Sequence, residues 1–295
     1  MVSFLVLISA IVGPLDGVDG PSSPGARLEV QGHRGARARR PENTLAAFRY
    51  ALDVGVDVIE LDLVVTKDEH LVVDHNLFLN PDICLGPGAA RIRGRVLVRS
   101  LTLDELRRYD CGTLRNPRFP TQQPSPGERI PTLEEVFKLL EETEGAEGVR
   151  LNIEAKSVPS RPDLTFPPER WAEVLAEALK KPKRRARVNV QSFDHRILRE
   201  LKARLPEVPI SALVAESLPD LVELARDLGA EIISPNLDWI TGPAVAALHA
   251  AGVRVIPWTA NTPEEWARLV DLGVDGIITD DPAGLIGFLK AQGLR

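Results

Sequence analysis

Two carboxylates, two residues apart, lie in a β-branched apolar run at 58–63. The two-residue period of a strand places the side chains of Glu60 and Asp62 on the same face. Glu154 and Lys156 repeat this spacing in a later apolar run. Converging carboxylates are costly to bury unless a cation neutralises them, and Mg²⁺ and Ca²⁺ both prefer oxygen ligands. We therefore expect Glu60, Asp62 and Glu154 to bind one divalent ion, Mg²⁺ or Ca²⁺, rather than to form surface ion pairs.

Two of the five histidines, His33 and His75, end two other predicted strands. Imidazole changes its charge near neutral pH, so a pair suits catalysis in which one histidine accepts a proton and the other donates one. A lone histidine is more often a hydrogen-bonded structural residue. That is our interpretation of His195 and His249, which lie in predicted helices. We predict His33 and His75 to be the catalytic pair, without assigning the acid and the base.

Two cations follow the same predicted strand ends. Arg34 adjoins His33, and Lys156 adjoins the Glu154 strand. Both would bind an anionic group, and an arginine can do so through two parallel hydrogen bonds. A metal held by carboxylates, two histidines and two cations together describe phosphoryl transfer or hydrolysis of a phosphate ester.

The motifs taken together resemble the glycerophosphodiester phosphodiesterases, a family of metal-dependent barrel enzymes. The resemblance runs in order through almost everything after Arg27. It rests on Gly32-His33-Arg34-Gly35, Pro41-Glu42-Asn43-Thr44, Ile59-Glu60-Leu61-Asp62, Val72-Val73-Asp74-His75, Asn152-Ile153-Glu154-Ala155-Lys156, Gln191-Ser192-Phe193, Trp258-Thr259 and Thr279-Asp280-Asp281-Pro282. Many motifs in one order are far more specific than any one of them.

The resemblance implies a role for each matching residue. It makes Glu60, Asp62 and Glu154 the metal ligands, and His33 and His75 the acid and base. It makes Arg34 and Lys156 the phosphate ligands, Gln191 and Trp258 residues of the pocket, and Glu42 a partner of His33. The implied reaction is hydrolysis of a small glycerophosphodiester to glycerol 3-phosphate and an alcohol, by way of a cyclic phosphate.

The chain departs from the family pattern in two places. An aspartate usually follows the second histidine, where this chain has Asn76, so the positioning of His75 is in question. Arg37, Arg39 and Arg40 lie before Pro41, where smaller or neutral residues are expected. These arginines could bind a second anionic group, but a run of charge is usually solvated, and we predict the latter.

Predicted strands and helices alternate from Arg27 to the C-terminus. Apart from a hairpin arm at 71–74, about eight strands are predicted, at 28–33, 56–63, 149–155, 187–193, 209–214, 231–235, 253–258 and 276–279. Most precede a helix, which is typical of an α/β chain folded as a (β/α)8 TIM barrel over 27–295. The alternative is a doubly wound open sheet, but no GxGxxG motif follows a predicted strand. Polar residues also cluster at strand C-termini, where barrel enzymes place their chemistry.

The segment 77–131 interrupts this alternation and is rich in proline and glycine. We predict an insertion after the second strand, with one short helix at 102–109, that shapes a binding mouth. Its apolar residues allow a second function, cleavage of lysophospholipid or sphingolipid headgroups; they are Leu77, Phe78, Leu79, Leu85 and Phe119. A third possible function is a barrel without catalytic activity that binds phosphorylated ligands. Loss of a metal-binding carboxylate or of a motif histidine would favour it, and none of these residues is missing.

Composition excludes some partners. The 295 residues are 44% hydrophobic and 26% charged, with a net charge of −6, which is typical of a globular enzyme. A nucleic-acid partner would require a basic face, so we expect none. Residues 4–12 are apolar but too few to span a bilayer, and we expect no stable membrane span. The sequence indicates no oligomeric state.

The N-terminal residues 1–26 resemble a signal peptide followed by a linker. No lysine or arginine precedes the apolar run, so a leading strand or a wrongly assigned start also fits. Export would make the protein periplasmic or secreted, and otherwise it would be cytoplasmic. Whether the two cysteines, Cys84 and Cys111, form a disulfide depends on this location.

Overall fold

Eight parallel strands alternate with eight helices of at least eight residues in the computed structural model, which describes residues 27–216 and 220–295. The strands are β1 (Glu29–Gly32), β2 (Val58–Val65), β3 (Arg150–Ala155), β4 (Val188–Ser192), β5 (Ile210–Val214), β6 (Ile232–Pro235), β7 (Arg254–Val255) and β8 (Gly276–Thr279). The helices are α1 (Leu45–Val54), α2 (Leu133–Glu142), α3 (Pro168–Ala178), α4 (His195–Arg204), α5 (Leu221–Leu228), α6 (Gly242–Ala250), α7 (Pro263–Asp271) and α8 (Pro282–Ala291).

The strands form a nearly closed barrel. Hydrogen bonds join them in the order β7, β6, β5, β4, β3, β2, β1 and β8. Backbone hydrogen bonds bridge the remaining gap, because Asp275 N donates to Val255 O at 2.9 Å and Ile278 N donates to Pro257 O at 3.0 Å. Eight parallel strands inside a layer of helices make a (β/α)8 barrel, so the predicted fold class is confirmed.

The seventh strand is shorter than predicted. We expected a strand at 253–258, but regular pairing covers only Arg254–Val255. Pro257 has no backbone N–H group and cannot donate to a neighbouring strand. Contact with β6 resumes after it, where Trp258 N donates to Pro235 O at 3.0 Å. The chain therefore still carries Trp258 to the C-terminal end of the barrel.

Threonine caps start several of the helices that follow the barrel loops. Thr132 and Thr262 each form a capping box, with Glu135 and Glu265 respectively, and Thr44 caps α1 by accepting a hydrogen bond from Ala47 N. Each cap contributes about 1 kcal/mol to stability. Because these caps terminate loops at the C-terminal face, they also fix the loops that carry the predicted site residues.

Successive side chains of β2 point in opposite directions, either into the apolar core beneath the helices or into the polar interior of the barrel. Ile59, Leu61 and Leu63 pack with the helices in the main hydrophobic core, while Glu60 and Asp62 lie on the opposite face of the strand. Truncating a buried leucine such as Leu61 to alanine costs about 2–5 kcal/mol. The core therefore fixes the strand that presents the two carboxylates.

The segment 77–131 has a small hydrophobic core of its own. Val98, Leu106 and Ile130 pack there against the Cys84–Cys111 pair, which forms a disulfide. The segment contains the paired strands Leu85–Gly86 and Ala90–Arg91 and the helix Leu103–Leu106. That helix is shorter than the predicted 102–109, and Thr102 caps it. An antiparallel strand, Leu71–Val73, joins the segment to β2.

The predicted signal peptide and linker at 1–26 lie outside the described residues. Within the described residues, no helix combines the length and the apolar character needed to cross a bilayer.

Candidate active site

A tight turn after β1 presents His33 and Arg34 to the barrel mouth. Gly35 N donates to Gly32 O at 3.1 Å, and a Cβ atom on Gly32 would lie 2.0 Å from Gly35 O. Gly35 has a φ of +86°, which favours glycine because it lacks a Cβ atom. Arg34 itself has a φ of 50°. The glycines of the Gly-His-Arg-Gly motif are thus required by the turn.

Sheet register brings the three predicted metal ligands together. Asp62 of β2 lies directly opposite Glu154 of β3, and Glu60 lies opposite Asn152. One ligand oxygen from each of Glu60, Asp62 and Glu154 lies within 4.8 Å of the others, and all three residues are buried. Glu154 lies 92 positions after Asp62 in the sequence. The cluster therefore forms only when the barrel folds.

The cluster is only partly balanced by protein cations. Lys156 Nζ lies 2.7 Å from Glu154 Oε1 and 3.3 Å from Asp62 Oδ1, and Arg34 Nε lies 3.3 Å from Asp62 Oδ2. Burial opposes ionisation of Asp62, but Lys156 and Arg34 outweigh it and hold the pKa well below its usual range. Burial, with the neighbouring carboxylates, raises the pKa of Glu60 well above its usual range. Burial likewise raises the pKa of Glu154 to about 7.

These residues fit a hard divalent cation. The donors are all carboxylate oxygens, which Mg²⁺ and Ca²⁺ prefer. The raised pKa values of Glu60 and Glu154 indicate that negative charge accumulates here without a sufficient counter-charge from the protein. The Glu60–Asp62–Glu154 cluster can therefore hold a divalent metal ion.

His33 is held by Asp280, which follows the last strand. His33 Nδ1 lies 2.5 Å from Asp280 Oδ1, and its Nε2 lies 4.0 Å from Glu60 Oε2. Burial lowers the pKa of His33, and the Asp280 charge offsets part of this effect. Our expectation that Glu42 is the partner of His33 was wrong, because Asp280 occupies the Nδ1 position. The signal was present in sequence, since Asp280 lies in a family motif at the end of β8.

His75 is positioned by the residue that departs from the family pattern. Its Nδ1 lies 2.9 Å from Asn76 Oδ1. An amide oxygen only accepts hydrogen bonds, so this contact places the proton on Nδ1 and leaves Nε2 of the neutral ring free to accept. Burial lowers the pKa of His75 to about 4. Asn76 thus orients the ring as an aspartate would, but without adding a negative charge.

Glu42 bridges two arginines instead. It accepts from Arg34 Nη1 at 2.6 Å through one oxygen and from Arg37 Nε at 2.8 Å through the other. Asn116 of the insertion also donates to Glu42, at 2.9 Å, and the Phe119 ring centroid lies 5.1 Å from the Arg37 guanidinium carbon. Glu42 therefore fixes both guanidinium groups and ties them to the insertion.

The predicted solvation of the arginine run was wrong for Arg37, which is buried. Arg39 is half-buried and pairs with Asp281, and Arg40 donates to Gln123 Oε1 at 2.6 Å. The physical reason is the insertion, which covers this loop. Gln122, for example, donates to the carbonyl oxygens of Arg37 and Arg40.

A sequence model of the glycerophosphoryl diester phosphodiesterase family matches residues 33–284. The chain belongs to this family. A glycerophosphodiester phosphodiesterase of Caldanaerobacter subterraneus is 35% identical over 265 residues, which cover 90% of this chain and 98% of that protein. A lysophospholipase D of Rattus norvegicus is 30% identical over 88% of this chain and 85% of its own length. The crystal structure of a Silicibacter pomeroyi protein has a TM-score of 0.87 at 30% identity and covers 95% of this chain and 97% of that one.

Membership of the glycerophosphoryl diester phosphodiesterase family makes the chain a phosphoric diester hydrolase, as predicted. Its predicted site residues meet at one cavity of about 180 Å³, lined by His33, Arg34, Glu60, His75, Glu154, Lys156, Gln191 and Trp258, together with Arg37. Gln191 also donates to Glu60 Oε1 at 2.9 Å, and Trp258 donates to Ser234 O at 2.8 Å. Asp62 and Glu42 do not line the cavity. Asp62 contacts Lys156 and Arg34, and Glu42 contacts Arg34 and Arg37, so both hold cavity-lining cations in place.

Proposed function

We propose that this phosphodiesterase hydrolyses glycerophosphodiesters to glycerol 3-phosphate and an alcohol, with one divalent ion, Mg²⁺ or Ca²⁺, at Glu60, Asp62 and Glu154. The observation that carries the proposal is that His33, His75, Arg34, Lys156 and two of these carboxylates line the same cavity. The Caldanaerobacter relative, which is named for this activity, supports the same substrate class.

The proposed reaction has two steps. The glycerol 2-hydroxyl attacks phosphorus, the bond to the leaving oxygen breaks, and a cyclic glycerol phosphate forms. One imidazole accepts the hydroxyl proton and the other donates a proton to the leaving oxygen. Water then opens the ring, with the two proton transfers reversed. A bound divalent cation would polarise the phosphate and lower the pKa of the attacking hydroxyl.

The two imidazoles suit these transfers. Contacts to Asp280 and Asn76 occupy the Nδ1 atoms of His33 and His75, so both Nε2 atoms remain for proton transfer. Burial lowers the pKa of both rings, which keeps an accepting ring neutral at physiological pH.

Three cations would bind the phosphate oxygens. Arg34 and Lys156 line the cavity beside the carboxylates. We add Arg37, whose Nε binds Glu42 while no described carboxylate pairs with its terminal nitrogens. A fixed guanidinium with free terminal N–H groups matches the geometry of two phosphate oxygens.

The experiment compares glycerophosphocholine with a matched ester in which propane-1,3-diol replaces glycerol and the 2-hydroxyl is absent. Release of choline from both esters, and of glycerol 3-phosphate from glycerophosphocholine, is followed with Mg²⁺, Ca²⁺ or Mn²⁺ and with excess chelator. We expect metal-dependent cleavage of glycerophosphocholine and none of the deoxy ester. Cleavage of both esters at similar rates would refute the cyclic route, and inertness of both with every metal would refute the substrate class.

A second candidate substrate is a lysophospholipid. The rat relative named lysophospholipase D supports it, as do Leu77, Phe78 and Leu79 beside the cavity. Leu85, which we had also expected at the mouth, is instead buried and pairs with Asp110. Turnover of lysophosphatidylcholine above that of glycerophosphocholine would favour this alternative.

We also propose that the protein is exported. The Cys84–Cys111 disulfide supports this, because disulfides persist in oxidising compartments. Cell fractionation with thiol labelling tests the proposal: the protein should leave the cytoplasm and lack free thiols. A cytoplasmic protein with two labelled thiols would contradict it.

A further inference from the structure

The catalytic cavity is too small to enclose a whole phosphodiester. Its volume is about 180 Å³, whereas pockets that bury a drug-sized ligand occupy roughly 300–1,000 Å³. Phe193, Leu213 and Ile278 give it apolar walls. If the cavity holds the glycerol phosphate part, as the proposed function requires, the leaving alcohol lies outside it.

A groove of about 800 Å³ begins where the cavity ends. His75 and Lys156 line both spaces, so the groove continues the cavity past a proposed catalytic imidazole. Leu77 and Leu79 of the insertion line the groove, as do Val158 and Leu164 after β3. A group bonded to the phosphate would therefore leave the cavity between His75 and Lys156 and enter this groove.

The charged side chains along the groove are all basic. They are Arg95, Lys156 and Arg161, and no aspartate or glutamate lines the groove in the described part of the chain. Lys156 pairs with Glu154, and Arg161 pairs with Asp163 at 2.8 Å. Arg95 has no carboxylate within 4.0 Å among the described residues, so its charge is not neutralised by an ion pair.

Arg95 also covers the aromatic surface of the groove. Its guanidinium carbon lies 3.8 Å from the centroid of the Phe78 ring. A quaternary ammonium such as choline is bound best by an open aromatic face. Arg95 occupies a face of the Phe78 ring, so that face is not open to a cationic headgroup. The positive charge of Arg95 would instead repel such a headgroup.

We propose that this groove binds the leaving alcohol, and that Arg95 selects alcohols that carry an anionic group over cationic ones. The inference deepens the proposed function and rests on it. The groove's apolar walls accommodate the carbon skeleton of the alcohol, while Arg95 supplies the opposite charge at its rim.

The test measures kcat/KM for three deacylated substrates that differ in the charge of the leaving alcohol. They are glycerophosphocholine, whose leaving alcohol is cationic, glycerophosphoglycerol, whose leaving alcohol is neutral, and bis(glycerophospho)glycerol, whose leaving alcohol carries an anionic phosphodiester. We expect the order anionic, neutral, cationic in the wild-type enzyme. Arg95→Glu should lower the anionic-to-cationic ratio by about four- to twenty-fivefold, because one exposed charge changes affinity roughly two- to fivefold and the substitution acts on both substrates.

The matched control is Arg93→Glu, because Arg93 is exposed in the same loop but does not line the groove. The control should leave the ratio unchanged, which separates a local effect from a change in net charge. A wild-type preference for glycerophosphocholine, or equal ratios in both variants, would overturn the inference while leaving the proposed function intact. If Arg95→Glu changed only the turnover of lysophosphatidylcholine, the groove would bind an acyl chain and not the leaving alcohol, which would also overturn the inference. No turnover of any ester would overturn the proposed function and this inference with it.

Discussion

The Nδ1 atom of His33 lies 2.5 Å from the Oδ1 atom of Asp280, across 247 positions of sequence. His33 follows the first strand of the barrel and Asp280 follows the last, and these two strands are hydrogen-bonded neighbours. Asn261 holds Asp280 in turn, since its Nδ2 donates to Asp280 Oδ2 at 3.1 Å. Closure of the barrel thus orients a proposed catalytic imidazole.

Replacing Asp280 should impair catalysis more than folding. In Asp280→Asn the charge that stabilises the imidazolium is lost and the ring can adopt the wrong tautomer, so kcat should fall by about 100-fold or more. Asp281→Asn is the control, because Asp281 contacts Arg39 and caps α8 rather than contacting His33. It should lower the free energy of unfolding by less than about 1 kcal/mol at nearly unchanged kcat, because asparagine caps a helix as well as aspartate does and the pair with Arg39 is partly exposed. Equal effects of both substitutions on kcat would mean that Asp280 acts only structurally.

Asn76→Asp should move the pH dependence of the reaction. Burial disfavours the charged ring and lowers the pKa of His75 to about 4. A carboxylate beside Nδ1 favours the charged ring and should raise that pKa by about one unit or more. The limb of the kcat/KM profile that His75 controls should therefore shift to higher pH. Profiles recorded from pH 4 to 10 check this, and superimposable curves would show that His75 controls neither limb.

Arg37→Met should weaken binding of the phosphate product. Loss of a charge-assisted contact raises the inhibition constant of glycerol 3-phosphate roughly tenfold. Arg40→Met is the matched control, because Arg40 also lies against an aromatic ring and contacts the insertion, yet it does not line the cavity. Thermal unfolding of both variants separates folding from binding. Equal inhibition constants for the wild-type enzyme and Arg37→Met would exclude Arg37 from the phosphate site.

Divalent ions should stabilise the fold through the three carboxylates. A ligand at 100 times its dissociation constant stabilises a protein by about 2.7 kcal/mol, which thermal unfolding detects without any assay of activity. Glu154→Gln should abolish the stabilisation, whereas Glu144→Gln, at an exposed position, should retain it. Stabilisation of the Glu154→Gln variant by the same ions would place the metal elsewhere.

Local signals in the sequence predicted most of the fold. Thr44, Thr132 and Thr262 each cap a helix through a residue only three positions away, so these helix starts depend on local sequence. Strand periodicity likewise placed Glu60 and Asp62 on one face. The shortened β7 was missed because the effect of Pro257 depends on which neighbour its backbone faces.

The contacts that hold the site residues in position were harder to predict from the sequence. The burial of Arg37 depends on Asn116 and Phe119, which lie about 80 positions further along in an insertion without a periodic pattern. The true partner of His33 lies in the motif after β8, but which of its two aspartates, Asp280 or Asp281, faces His33 depends on how β8 pairs with β1. In both cases the missing information is tertiary, since it concerns which loops meet at one end of the barrel.

The proposed acid–base pair is tested most directly by measuring glycerol 3-phosphate release from glycerophosphocholine by His33→Ala and His75→Ala. His70→Ala is the control, because His70 is exposed and lies outside the cavity. We expect each of the first two variants to lose at least about 100-fold in kcat while keeping the wild-type unfolding temperature, with His70→Ala unchanged. A near wild-type rate in a folded His33→Ala or His75→Ala variant would contradict the account.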